Sequence, residues 1–104
     1  MSGDSAFGAR PDGTPKGKGW FGPLRHTSGD VSTELSIGIN FDGKERLIPA
    51  IVPNLTKSQL QILLDGKRPT NDIIDKAVEF ARKRIKEGKS PFAEDGEQLP
   101  PPLE

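Results

Sequence analysis

From residue 31 to residue 41 the chain alternates. Val31, Thr33, Leu35, Ile37, Ile39 and Phe41 fall on one side, and Ser32, Glu34, Ser36, Gly38 and Asn40 on the other. A period of two over this length predicts a strand with one buried face. Asp42-Gly43 follows, the dipeptide best suited to supply two positive-φ residues to a two-residue type I′ turn. Pairing Phe41 with Lys44 and zipping backwards sets Ile37 opposite Ile48, Leu35 opposite Ala50 and Thr33 opposite Val52, so one face collects the aliphatic residues of both strands. Pro49 falls opposite Ser36. It cannot donate a ladder bond, so its amide position must face away from the partner strand. Glu34, Ser36, Asn40, Pro49 and Ile51 make the other face mixed.

After residue 52 the period changes from two to that of a helix. Thr56-Lys57-Ser58-Gln59 is a capping box, with Leu55 and Leu60 at the staple positions. The helix it opens, over 57–65, carries Leu60, Leu63 and Leu64 on one side and stops at Gly66. Thr70 or Asn71 caps a second helix, over 72–87, in which Ile74, Ala77, Val78, Ala81 and Ile85 form an apolar stripe that Ile73 and Phe80 widen. Gly88 ends it and Pro91 lies beyond. The expected fold is α+β: an N-terminal β-hairpin, extended to three strands if the preceding segment joins it, packed by one face on two C-terminal helices. The expected core is Trp20, Leu35, Ile37, Ile39, Ile48, Ala50, Leu60, Leu63, Leu64, Ile74, Ala77, Val78, Ala81 and Ile85, with Phe92 folding back onto the second helix.

Composition limits how much of the chain can join that core. Only 32% of its 104 residues are apolar, and the 12 glycines and 10 prolines crowd toward the two ends. Residues 1–18 read as a disordered arm, 19–92 as one small domain and 93–104 as a disordered, acidic and then proline-rich tail. A domain of this size gains only about 3–5 kcal/mol from one core, so marginal stability, or a partner, is expected. Fifteen basic and fifteen acidic residues cancel, which argues against a general nucleic-acid binder. With no cysteine, disulfides, thiolate metal sites and thiol catalysis are excluded. There is no membrane-length apolar run and no signal-peptide pattern, so a cytoplasmic product acting away from membranes is expected, as a monomer or weak homodimer.

The candidate chemistry is sparse. Residues 13–19, GTPKGKG, look like a phosphate-binding loop, but the spacing is one residue short and Gly19 stands where Ser or Thr should hold magnesium; a flexible linker is the plainer account. His26 has no second metal ligand at a useful spacing and no acid partner, which leaves an exposed loop histidine. Asp30 and Glu34 would lie about 13 Å apart along a strand. Asp72 with Lys76 and Glu79 with Lys83 form ordinary i, i+4 pairs. No nucleophile with a base, carboxylate pair or metal cluster emerges, so no enzyme, cofactor or metal is expected. Trp20, Phe21 and Leu24 concentrate large apolar side chains between flexible neighbours. They are expected to cap the hairpin's apolar face, and the sharper reading is an exposed anchor for a protein partner; the free hairpin edge, able to accept another strand, is the other expected route to a partner. Arg82, Lys83, Arg84, Lys86 and Lys89 cluster at the end of the second helix and supply the alternative function, nucleic-acid binding, against the plainer reading of a solvated helical face. The N-terminal part of that helix, which would enter a major groove, is acidic.

The stretches GKGWFGPL, SGDVSTELSIG, DGKERLIPAIVPNLTKSQLQILLDGKRP and KAVEFARKRIKEGKSPFAEDGE, over about 17–97, resemble a family of small proteins encoded by bacteriophages and prophages, related segments of which occur inside larger virion proteins. GxGWFGPL, STELSIG and GKSPFA are its most particular pieces. The resemblance implies no catalytic residues. It implies a non-enzymatic interaction or structural module of phage origin, acting in the virion, in its assembly or in the bacterial host cytoplasm.

Overall fold

A computed structural model describes residues 8–41, 43–94 and 96–100. In chain order it has β1 (Leu24–Arg25), β2 (Val31–Ser32), β3 (Ser36–Phe41), β4 (Lys44–Pro49), α1 (Lys57–Leu64) and α2 (Asn71–Lys86). This is an α+β fold with two separate antiparallel strand pairs, β1 with β2 and β3 with β4.

The β3–β4 register matches the alternation: Phe41 faces Lys44, Ile37 faces Ile48 and Ser36 faces Pro49. The Ala50 amide continues the pairing by donating to the Leu35 carbonyl at 2.7 Å. Because bonded and non-bonded pairs alternate, that bond places Pro49 in a non-bonded slot where no ladder amide is needed. At the turn, Gly43 has φ 84° and donates to the Asn40 side chain at 2.9 Å; Asp42, the other residue of the expected type I′ pair, lies outside the described residues.

The expected eleven-residue strand is interrupted at residues 33–35, and Thr33 does not pair with Val52. Thr33 and Glu34 turn inward instead and bind the N-terminal arm. Thr33 Oγ1 donates to the Gly17 carbonyl at 2.6 Å, and the Glu34 carboxylate accepts from Arg10 and from the Gly17 amide. The upstream piece, β2, then pairs with Leu24–Arg25. The Trp20–Leu24 segment thus contributes to a second strand pair rather than to a three-stranded sheet.

Both helices end in the same way. After α1 the Lys67 amide reaches the Ile62 carbonyl and the Gly66 amide that of Leu63; after α2 Lys89 reaches Arg84 and Gly88 reaches Ile85. With Gly66 at φ 78° and Gly88 at φ 77°, these are two Schellman caps. The capping box of α1 is formed, and Thr70 is the N-cap of α2 without a side-chain cap bond.

The core centres on Ile48, Ala50, Ile51, Val52, Leu55, Leu60, Leu63, Ile73, Ala77 and Ala81. Several expectations are corrected here. Leu35, Ile37 and Ile39 are half-buried and pack against the core from its rim. Ile51, placed on the mixed face, is buried. On α2 the fully buried stripe is Ile73, Ala77, Ala81 and Arg84, one position earlier than the Ile74 stripe, and Ile74, Val78 and Ile85 flank it half-buried.

Neither end segment is detached where it is described. Residues 8–18 fold on themselves, with Lys16 donating to the Gly8 carbonyl, and are held by Glu34. Residues 96–100 return across Trp20, where the Leu99 amide donates to the Trp20 carbonyl at 2.8 Å and Gln98 Nε2 to the Gly19 carbonyl at 2.9 Å. Residues 1–7, 95 and 101–104, which the expected disordered arm and tail include, lie outside the described residues.

Candidate functional site

Trp20, Phe21 and Leu24 are buried, with 5%, 8% and 8% of their surface exposed. Trp20 meets Phe80 edge-on at 5.0 Å between centroids, and its Nε1 donates to the Pro91 carbonyl at 3.2 Å. In the folded chain these three side chains belong to the core rather than to an exposed surface.

The five cations at the end of α2 do not act together. Arg84 points inward. Its Nη atoms make a bidentate pair with Glu97 at 3.0 and 2.9 Å, its Nε donates to the Ser90 carbonyl at 2.7 Å, and its guanidinium lies 4.9 Å from the Trp20 ring centre. It is thus engaged within the fold. The same pair holds the Glu97 carboxyl below the usual range, chiefly through the Arg84 hydrogen bonds and then the Glu94 amide. Lys89 adds to the positive field on Glu97. Lys83 faces a different groove, beside Pro53, Asn54, Glu79 and Phe80.

Arg82 and Lys86 remain, and the fold adds two cations that the cluster reading lacked. The far end of the hairpin crosses α2 so that Lys44 and Arg46 of β4 face Arg82, Ile85 and Lys86 across an open groove of about 680 Å³ with Phe41 in its wall. The Arg82 guanidinium lies 5.0 Å from the Phe41 ring centre. Lys44, Arg46, Arg82 and Lys86 are exposed, and none has an ion-pair partner among the described residues. Glu45 also lines the groove, but its carboxylate lies over Gly38 on the hairpin's other face. The signal that could have found Lys44 and Arg46 was in the register: both share a face with Phe41 and Ile39. What the sequence did not reveal was that α2 crosses this face.

A second accessible feature is the outer edge of β3. Since Leu35, Ile37, Ile39 and Phe41 bond toward β4, the amides and carbonyls of Ser36, Gly38 and Asn40 point the other way. Among the described residues these backbone groups have no hydrogen-bond partner, and Gly38 and Asn40 are exposed. On the opposite edge β4 carries Pro49, and residues 45–47 face Arg10, Pro11 and Phe92 of the chain ends.

The remaining candidates have structural roles. The glycine-rich 13–19 segment is neither a phosphate loop nor a loose linker, since the Gly17 amide is occupied by the Glu34 carboxylate, which would repel a phosphate there. His26 is half-buried rather than exposed, and its Nε2 is buried with no hydrogen-bond partner among the described residues. Asp72 does not pair with Lys76. It accepts from Thr70 and from Gln59 Nε2, which hold its carboxyl below the usual range, while Lys76 donates to Gln59 Oε1 at 2.7 Å. Glu79 and Lys83 form no ion pair among the described residues. Among those residues no three of His, Asp and Glu gather as a metal site, and no helix is long and apolar enough to cross a membrane. Compared with known proteins, the chain matches no family model, no curated protein and no solved structure.

Proposed function

We propose that this chain is a non-enzymatic protein-interaction module of phage or prophage origin, used in the particle or its assembly, and that it takes its partner by strand addition at β3. The observation that carries the reading is the asymmetry of the hairpin: β4 is protected by Pro49 and the chain ends, whereas the outward amides and carbonyls of Ser36, Gly38 and Asn40 in β3 have no partner among the described residues, and Gly38 and Asn40 are exposed. Unprotected edges of this kind recruit extended segments, with main-chain bonds supplying affinity. The phage origin rests on the resemblance of GxGWFGPL, STELSIG and GKSPFA.

Gly38→Pro tests the edge. The substitution removes an outward amide without breaking a bond to β4, and the added Cβ meets only the flexible end of Glu45. Affinity capture from phage-producing host cells should recover a partner with the wild-type chain and lose it with G38P at unchanged circular dichroism. Recovery of the same partner by both chains overturns the reading.

A further inference from the structure

We infer that the groove between β4 and α2 is a binding site for single-stranded nucleic acid, separate from the β3 edge. Its two walls carry cations at matched intervals. Lys44 and Arg46 are alternate residues of a strand, about 7 Å apart along it. Arg82 and Lys86 are one helical turn apart, about 6 Å along the axis. Two rows of this repeat suit consecutive phosphates of an extended strand lying along the groove. All four side chains are exposed and without a carboxylate partner among the described residues, so binding a phosphate breaks no ion pair among those residues.

The apolar part of the groove favours a base over an apolar side chain. Phe41 and Ile85 are half-buried and form a shallow wall, with the Arg82 guanidinium over the Phe41 ring at 5.0 Å. A planar guanidinium backed by an aromatic ring, next to a cationic track, is a surface on which single-stranded bases stack. Protein anchors instead fill deep, fully desolvated pockets. A duplex fits less well than a single strand, because its bases are already stacked and the acidic start of α2, at Asp72 and Asp75, would face its backbone if the helix lay in a groove.

The test is fluorescence anisotropy of a labelled oligothymidine with the full chain over a range of salt. With up to four phosphates neutralised, log K should fall against log salt with a slope of about −3, and Arg46→Ala or Lys86→Ala should each reduce that slope by about 0.7. Phe41→Leu should weaken binding about tenfold and leave the slope unchanged. Lys83→Ala, in the other groove, and Gly38→Pro should alter neither. The intact response of G38P separates this site from the proposed strand-addition edge. Since Arg46 and Lys86 are exposed, their variants remain informative if Phe41→Leu lowers stability. The inference is overturned by absence of binding at low salt, by slopes that R46A and K86A leave unchanged, by tighter binding of duplex, or by an acidic peptide that displaces the oligonucleotide at lower concentration.

Discussion

Arg10 and Arg84 solve one problem twice. Each arginine ties a chain-end segment to the domain, pairing with a carboxylate while its guanidinium lies over an aromatic ring: Arg10 with Glu34 over Phe92, Arg84 with Glu97 over Trp20. Glu34 is 2% exposed, so removing it leaves the Arg10 guanidinium and the Gly17 amide without their acceptor. Glu34→Ala should cost about 3 kcal/mol in a denaturant melt and speed proteolysis within residues 8–18. Glu97 makes the other pair sensitive to acid. Because its folded carboxyl titrates below the usual range, chiefly through Arg84, its contribution is fully present above that range and is lost as pH falls through the folded value. Acidification below the usual carboxylate range should therefore release the tail and change Trp20 fluorescence. In Glu97→Gln the signal should sit near its acid value already at neutral pH; a wild-type transition retained in E97Q would refute this.

Among the elements, two positive-φ glycines make different demands. At Gly88, which closes the Schellman cap of α2, an added Cβ meets nothing within 4 Å, so Gly88→Ala should cost only the left-handed backbone penalty, about 1 kcal/mol. At Gly19, with φ 75°, a Cβ would stand 1.7 Å from the Thr33 carbonyl oxygen, a backbone atom. Gly19→Ala should cost more than about 3 kcal/mol, because the arm and the 33–34 break must separate. A comparison of thermal melts of the two variants distinguishes strain from collision. That same close approach explains why the long strand is split: a continuous strand would carry Glu34 along the ladder, away from Arg10 and Gly17.

For the whole molecule, the chain ends complete the fold. Residues 97–99 cover Trp20 through the Leu99 amide, the Gln98 amide at Gly19 and Glu97 at Arg84. A chain ending at Phe92 should show red-shifted, quencher-accessible Trp20 emission and a lower melting temperature; unchanged emission would mean that the tail adds nothing to the fold. The elements themselves were legible in the sequence because their signals are local. Alternation and Gly43 set the β3–β4 register, the Thr56 box and Gly66 bound α1, and Thr70 and Gly88 bound α2. Glycine and proline richness measures low apolar content and is silent about polar contacts such as Arg10–Glu34, 24 residues apart, and Trp20 Nε1 with the Pro91 carbonyl, 71 apart.

The identity and bounds of the helices, the pairing of the hairpin and the absence of thiol chemistry were all decided by residue order, because each depends on contacts within a few positions or on composition alone. Tertiary structure decided which face of α2 is buried, that Arg84 serves the core while Arg82 and Lys86 join Lys44 and Arg46, and that β3 rather than β4 has the open edge. These outcomes depend on where elements distant in sequence cross, and two nearly equivalent apolar stripes on one helix differ only in what the rest of the chain lays against them.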